Sequence, residues 1–121
     1  SVVGDLSHTP RWFQEGLAQC HEKGERKHAR RKLRLVRRIK YYIPLRELVS
    51  MQTYPVGEER IGMFYLESLA LMDLLLDKFG PRKVRQMAIA YRRRVPFETL
   101  VRNVLGTTMG DFEKLWKKYV E

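Results

Sequence analysis

Apolar residues recur at helical spacing along most of this chain. Between residues 58 and 79 they fall at Ile61, Phe64, Tyr65, Leu66, Leu69, Ala70, Met72, Leu74, Leu75, Leu76 and Phe79. Those positions cover more than one face, which predicts a long helix enclosed on several sides. Gly80-Pro81 punctuates its end and opens the next helix, whose stripe is Val84, Met87, Ala88 and Tyr91. Pro96 opens a shorter helix through Leu100, Val101, Val104 and Leu105, closed by Gly106. Thr108 suits the cap of a last helix, with Asp111 three residues on and Phe112, Leu115, Trp116 and Tyr119 facing inward. Gly110 weakens that first turn by about 1 kcal/mol relative to Ala.

The first half is patterned in the same way. Thr9 and Pro10 are suited to starting a helix, because a threonine can cap open N–H groups and proline lacks one. That helix is expected to run to about Lys23, where Gly24 stops it. Ala29, Leu33, Val36 and Ile39 then repeat at spacings of four, three and three, with Leu35 and Tyr42 widening the stripe. The remaining faces of this second helix are almost wholly Arg and Lys, and Pro44 ends it. Residues 49–57 read as loop, with Pro55 and Gly57 as breakers. No strand pattern, internal repeat or low-complexity tract interrupts the series. The expected fold is therefore all-α: one domain over residues 1–121, with about five helices packed around the apolar helix at 58–79.

Composition changes this picture little. A chain of 121 residues with 44% hydrophobic residues can bury a core, and its 31% charged fraction does not argue for disorder when the apolar residues are periodic. The longest apolar run, Leu69 to Met72, is far short of the roughly 20 residues that span a bilayer. No signal peptide or lipidation motif is visible. Cys20 is the only cysteine, so no internal disulfide can form. It reads as a partly buried helix residue, since His21 points to a different side of a helix and cannot activate it.

Charge adds more. Of the 24 basic residues, ten lie between residues 26 and 46, where there is no acidic residue at all. The whole net excess of +10 resides in that segment. One reading has Arg30, Arg31, Arg34, Arg37 and Arg38 contacting a polyanion, either nucleic acid or an anionic membrane surface. The plainer reading is a solvated charged face on a helix docked by its apolar stripe. No helix-turn-helix, zinc-finger or RNA-binding signature is present.

The stretch Pro10-Arg11-Trp12-Phe13-Gln14-Glu15-Gly16-Leu17-Ala18 sets a carboxylate among apolar residues. Such a group needs a partner, because burying an unpaired charge is costly. An arginine would supply one. The stretch also resembles the segment that provides the third zinc ligand in gluzincin metallopeptidases, in particular the peptidase-MA-like group. Further stretches are similar to that family in order. They are Pro44-Leu45-Arg46-Glu47-Leu48, Phe64-Tyr65-Leu66-Glu67-Ser68, Lys78-Phe79-Gly80-Pro81-Arg82-Lys83-Val84, and Leu105-Gly106-Thr107-Thr108 followed by Phe112 and Trp116. The resemblance spans residues 9–120, and the basic run at 26–46 departs from it.

The resemblance implies roles. Glu15 would be the zinc-binding glutamate, at about 2.0–2.2 Å from the ion. Tyr65 would face the site and stabilise an oxyanion, although the residue pattern by itself reads it as an aromatic core residue. Residues 1–8 would be a remnant of the preceding segment, 9–24 the glutamate helix, 25–43 the basic helix and 58–121 the helical core. The chain contains His8, His21 and His28 but no His-Glu-x-x-His. It is therefore expected to be the C-terminal helical part of such an enzyme, inactive and zinc-free in isolation. Its partner would be the N-terminal part of the same protein, carrying the two histidine ligands, and the complete enzyme would act on a peptide or protein.

Overall fold

Helix is the only regular structure among the residues that the computed structural model describes, namely 8–19, 27–29, 31–34 and 43–120. Six helices are numbered here: α1 (Arg11–Gln19), α2 (Leu45–Ser50), α3 (Glu58–Lys78), α4 (Pro81–Arg92), α5 (Phe97–Asn103) and α6 (Met109–Val120). Residues 27–29 and 31–34 are also helical. None of the described helices is long and apolar enough to cross a membrane.

α3 touches α1, α4 and α6, while α2 lies on α1 and α5 on α6. Its residues from Glu67 to Leu75 are buried without a break, including the polar Glu67, Ser68 and Asp73. A helix buried over two and a half turns must be covered on several sides, which the wide apolar pattern of 58–79 requires. α1 crosses it closely at Gly16. A Cβ there would stand 3.0 Å from Met72 Cβ and 3.0 Å from Met72 Cε. A line of edge-to-face rings binds the smaller helices to α1. Trp12 meets Phe13 at 5.3 Å and Phe97 at 5.8 Å, Phe13 meets Tyr91 at 5.2 Å, and Phe97 meets Phe112 at 5.5 Å between centroids.

Element ends follow local chemistry. The Pro10 carbonyl accepts the N–H groups of Phe13 and Gln14, and the Gln14 side chain donates to the Thr9 carbonyl at 2.7 Å. At α6, Thr108 Oγ1 accepts the Asp111 N–H at 3.1 Å, an N-cap bond. α5 begins at Phe97, one residue past Pro96, whose carbonyl accepts the Leu100 N–H at 3.0 Å. The structure differs from the sequence reading at α2. Residues 49–57 are expected as loop, yet the helix that starts at Leu45 runs on through Ser50. Pro44 starts it, its carbonyl accepting the Leu48 N–H at 2.9 Å, and Leu45, Leu48 and Val49 bury one face. The expected continuation of the first helix to Lys23 falls outside the described residues, as do residues 35–42 of the basic helix.

Candidate functional site

Glu15 lies on α1, half-buried, with Trp12 and Phe13 facing the core one turn before it. Its carboxylate oxygen Oε1 accepts the hydroxyl proton of Tyr54, which comes from the loop between α2 and α3. Tyr54 is 41% exposed and is framed by three contacts. The Arg11 guanidinium sits over its ring at 5.0 Å. The Phe64 ring meets it at 5.7 Å, and the Tyr65 ring lies tilted beside it at 5.9 Å. The bond to Glu15 raises the Tyr54 phenol above its ordinary range, and partial burial and Tyr65 add to that. Glu15 and Tyr65, 50 residues apart in sequence, thus flank one tyrosine side chain.

Glu15 is an oxygen ligand of the right kind for zinc, and its hydrogen bond from Tyr54 is the type that orients a ligating carboxylate. A catalytic zinc site needs three protein ligands. No group of three or more His, Cys, Asp or Glu that could hold a metal occurs among the described residues. His8 turns elsewhere, since its Nε2 accepts from Arg94 Nε at 3.3 Å. Glu15 therefore fits as one member of a set, and no catalytic step follows from these residues alone. His21 and Cys20 lie outside the described residues. Ser68, in the Tyr65 segment, is fully buried, and its hydroxyl has no hydrogen-bond partner among the described residues.

The basic segment docks through a small number of groups. Ala29 and Leu33 are buried, while His28, Arg31 and Lys32 are exposed. Lys27 Nζ lies 3.2 Å from Oδ2 of Asp73, a residue only 1% exposed, and 5.8 Å from the centre of the Tyr119 ring. The Tyr119 hydroxyl donates to the same carboxylate oxygen. Arg34 Nη2 approaches the Tyr119 carbonyl at 3.4 Å. Of the five arginines expected to face a polyanion, Arg31 is exposed and Arg34 leans on α6, and Arg30, Arg37 and Arg38 lie outside the described residues.

Two features were not legible beforehand. Tyr54 precedes Pro55 in a loop, and no spacing links it to Glu15, 39 residues earlier. α4 and its C-cap carry a second basic face, Arg82, Arg85, Arg92 and the cap residue Arg93, all exposed and without an acidic residue between them. Its charge is balanced elsewhere in the chain, so the segment totals conceal it. What fold and site together define is an all-α domain with a tyrosine-bonded carboxylate on α1 and basic outer faces. No family model, curated protein or solved structure matches the chain.

Proposed function

We propose that this chain is the C-terminal helical part of a gluzincin-type zinc metallopeptidase, in which Glu15 is the third metal ligand. The observation that carries the reading is the Glu15–Tyr54 hydrogen bond beside the Tyr65 ring. It supplies a ligating carboxylate with a donor that fixes its orientation and a second phenol within reach of the same place. In the complete enzyme two histidines on a separate helix join Glu15. Zinc bound there supplies the charge that polarises a scissile carbonyl and activates water. Glu15 would hold the ion, Tyr54 would keep that carboxylate in place, and Tyr65 would donate toward a developing oxyanion. The substrate is a peptide or protein.

The isolated chain is expected to lack stoichiometric zinc, to show no peptidase activity, and to keep its melting temperature in chelator. Joined to an upstream segment carrying His-Glu-x-x-His, it is expected to bind one zinc per molecule. Glu15→Ala should then abolish tight binding, and Tyr54→Phe should weaken it about 10- to 100-fold, the usual cost of losing an outer-shell partner. Metal analysis of the purified proteins checks this. One equivalent of tightly held zinc in the present chain would contradict it.

A second reading is a non-catalytic module that binds a polyanion. Its support is the exposure of Arg31 and Lys32 while Ala29 and Leu33 are buried, which turns the basic side outward. The second basic face, on α4, has the same electrostatic character.

A further inference from the structure

α4 ends in a conformation its sequence does not favour. The Val95 N–H bonds the Ala90 carbonyl at 3.2 Å and the Arg94 N–H bonds the Tyr91 carbonyl at 2.9 Å, the paired bonds of a Schellman ending. Such an ending requires a positive φ at the residue after the cap, which is usually glycine. The end of α3 obeys this, with Gly80 at φ 89 directly after the Phe79 cap. Here the residue is Arg94, at φ 63, alone among the described non-glycine residues. A side chain kept where glycine relieves strain points to a use for that side chain.

Arg94 lines a cleft of about 490 Å³, within the usual size range of small-ligand sites. Pro10, Val49, Val95, Phe97 and Met109 give it apolar walls, and Tyr91 lines it as well. The Tyr91 hydroxyl is buried, with the Trp12 indole N–H beside it. Arg46, also in the lining, is committed to Glu113 at 2.7 Å. Glu98 is exposed and is the one acidic residue in the lining among the described residues. His8 accepts from Arg94 Nε at 3.3 Å, which fixes the guanidinium by one edge. The Nη nitrogens make no bond among the described residues, and they present the planar pair of donors that matches a carboxylate. None of the residues of the Glu15 site lines this cleft.

We propose that this cleft binds a carboxylate attached to an apolar body, with Arg94 as the anion-recognising residue and the Pro10–Phe97–Met109 walls holding the body. Two sources share that chemistry: a free aromatic or aliphatic carboxylic acid, and the C-terminal residue of a peptide.

The test is calorimetric and NMR titration of the 121-residue chain with three probes: 3-phenylpropionate, N-acetyl-Ala-Ala-Phe, and the same peptide with an amidated C-terminus. Saturable binding of either acid, with the amide at least tenfold weaker than the free peptide, is expected. A peptide preference of tenfold or more over 3-phenylpropionate assigns the peptide terminus, and comparable affinity assigns the free acid. Arg94→Gly should raise the melting temperature, because it removes strain, yet lose at least tenfold in affinity. Arg102→Ala, which makes the same change of net charge outside the cleft, should bind as the wild type does. Absence of saturable binding by both acids would overturn the proposal. Undiminished binding by Arg94→Gly would do the same, as would an equal loss in Arg102→Ala.

Discussion

At the scale of single residues, Gly16 shows how a contact decides an identity that a pattern leaves unexplained. Its place in Glu15-Gly16 belongs to a family resemblance, and nothing in the spacing says why glycine stands there. The 3.0 Å gap to Met72 Cβ says why: that atom is fixed to the α3 backbone and cannot swing aside. Gly16→Ala gains about 1 kcal/mol in helix propensity. It costs roughly 1–3 kcal/mol in overpacking. A net destabilisation of about 1 kcal/mol is expected from urea unfolding, and an increase in stability would mean that α1 and α3 sit farther apart. Glu15 is a contrasting case. Its need of a partner was legible, because a carboxylate among Trp12, Phe13 and Leu17 cannot stay unpaired. The hydroxyl that meets it was not, since it arrives on a loop whose course is set by tertiary packing.

At the scale of elements, what could be read was periodicity sustained over several turns. The 21 residues of α3 gave a signal at both ends, and Gly80-Pro81 fixed the boundary to within a residue. The six residues of α2 offer only Leu45, Leu48 and Val49, too few to separate a helical turn from a loop. The two basic faces belong to this scale as well. If they bind a polyanion, the chain is retained on heparin, and retention weakens steeply as salt rises. Reversing Arg30, Arg31, Arg37 and Arg38 to Glu should abolish retention if the segment at 26–46 carries it. Retention that survives the reversal, and is lost when Arg82, Arg85, Arg92 and Arg93 are replaced, would move the binding to α4. Retention untouched by both sets would end that reading.

At the scale of the whole molecule, Asp73 is the point where distant parts of the chain meet. It lies in the middle of α3 and takes Lys27 from the basic segment and Tyr119 from the last turn of α6. Lys27 and Tyr119 are 92 residues apart in sequence, nearly the length of the chain. That separation has a consequence for the order of folding. Loop-closure entropy for so long a span must be met before the contact gives anything back, whereas α3 and α4 adjoin through a single turn. The clasp at Asp73 is therefore expected to close after the rate-limiting step. Tyr119→Phe removes one donor from a buried carboxylate, a loss of about 1–3 kcal/mol. Most of it should fall on the unfolding rate, about tenfold faster for each 1.4 kcal/mol, with the refolding rate almost unmoved. Stopped-flow chevrons of the two proteins read this directly, and a refolding limb slowed by the same factor would place the clasp inside the folding nucleus.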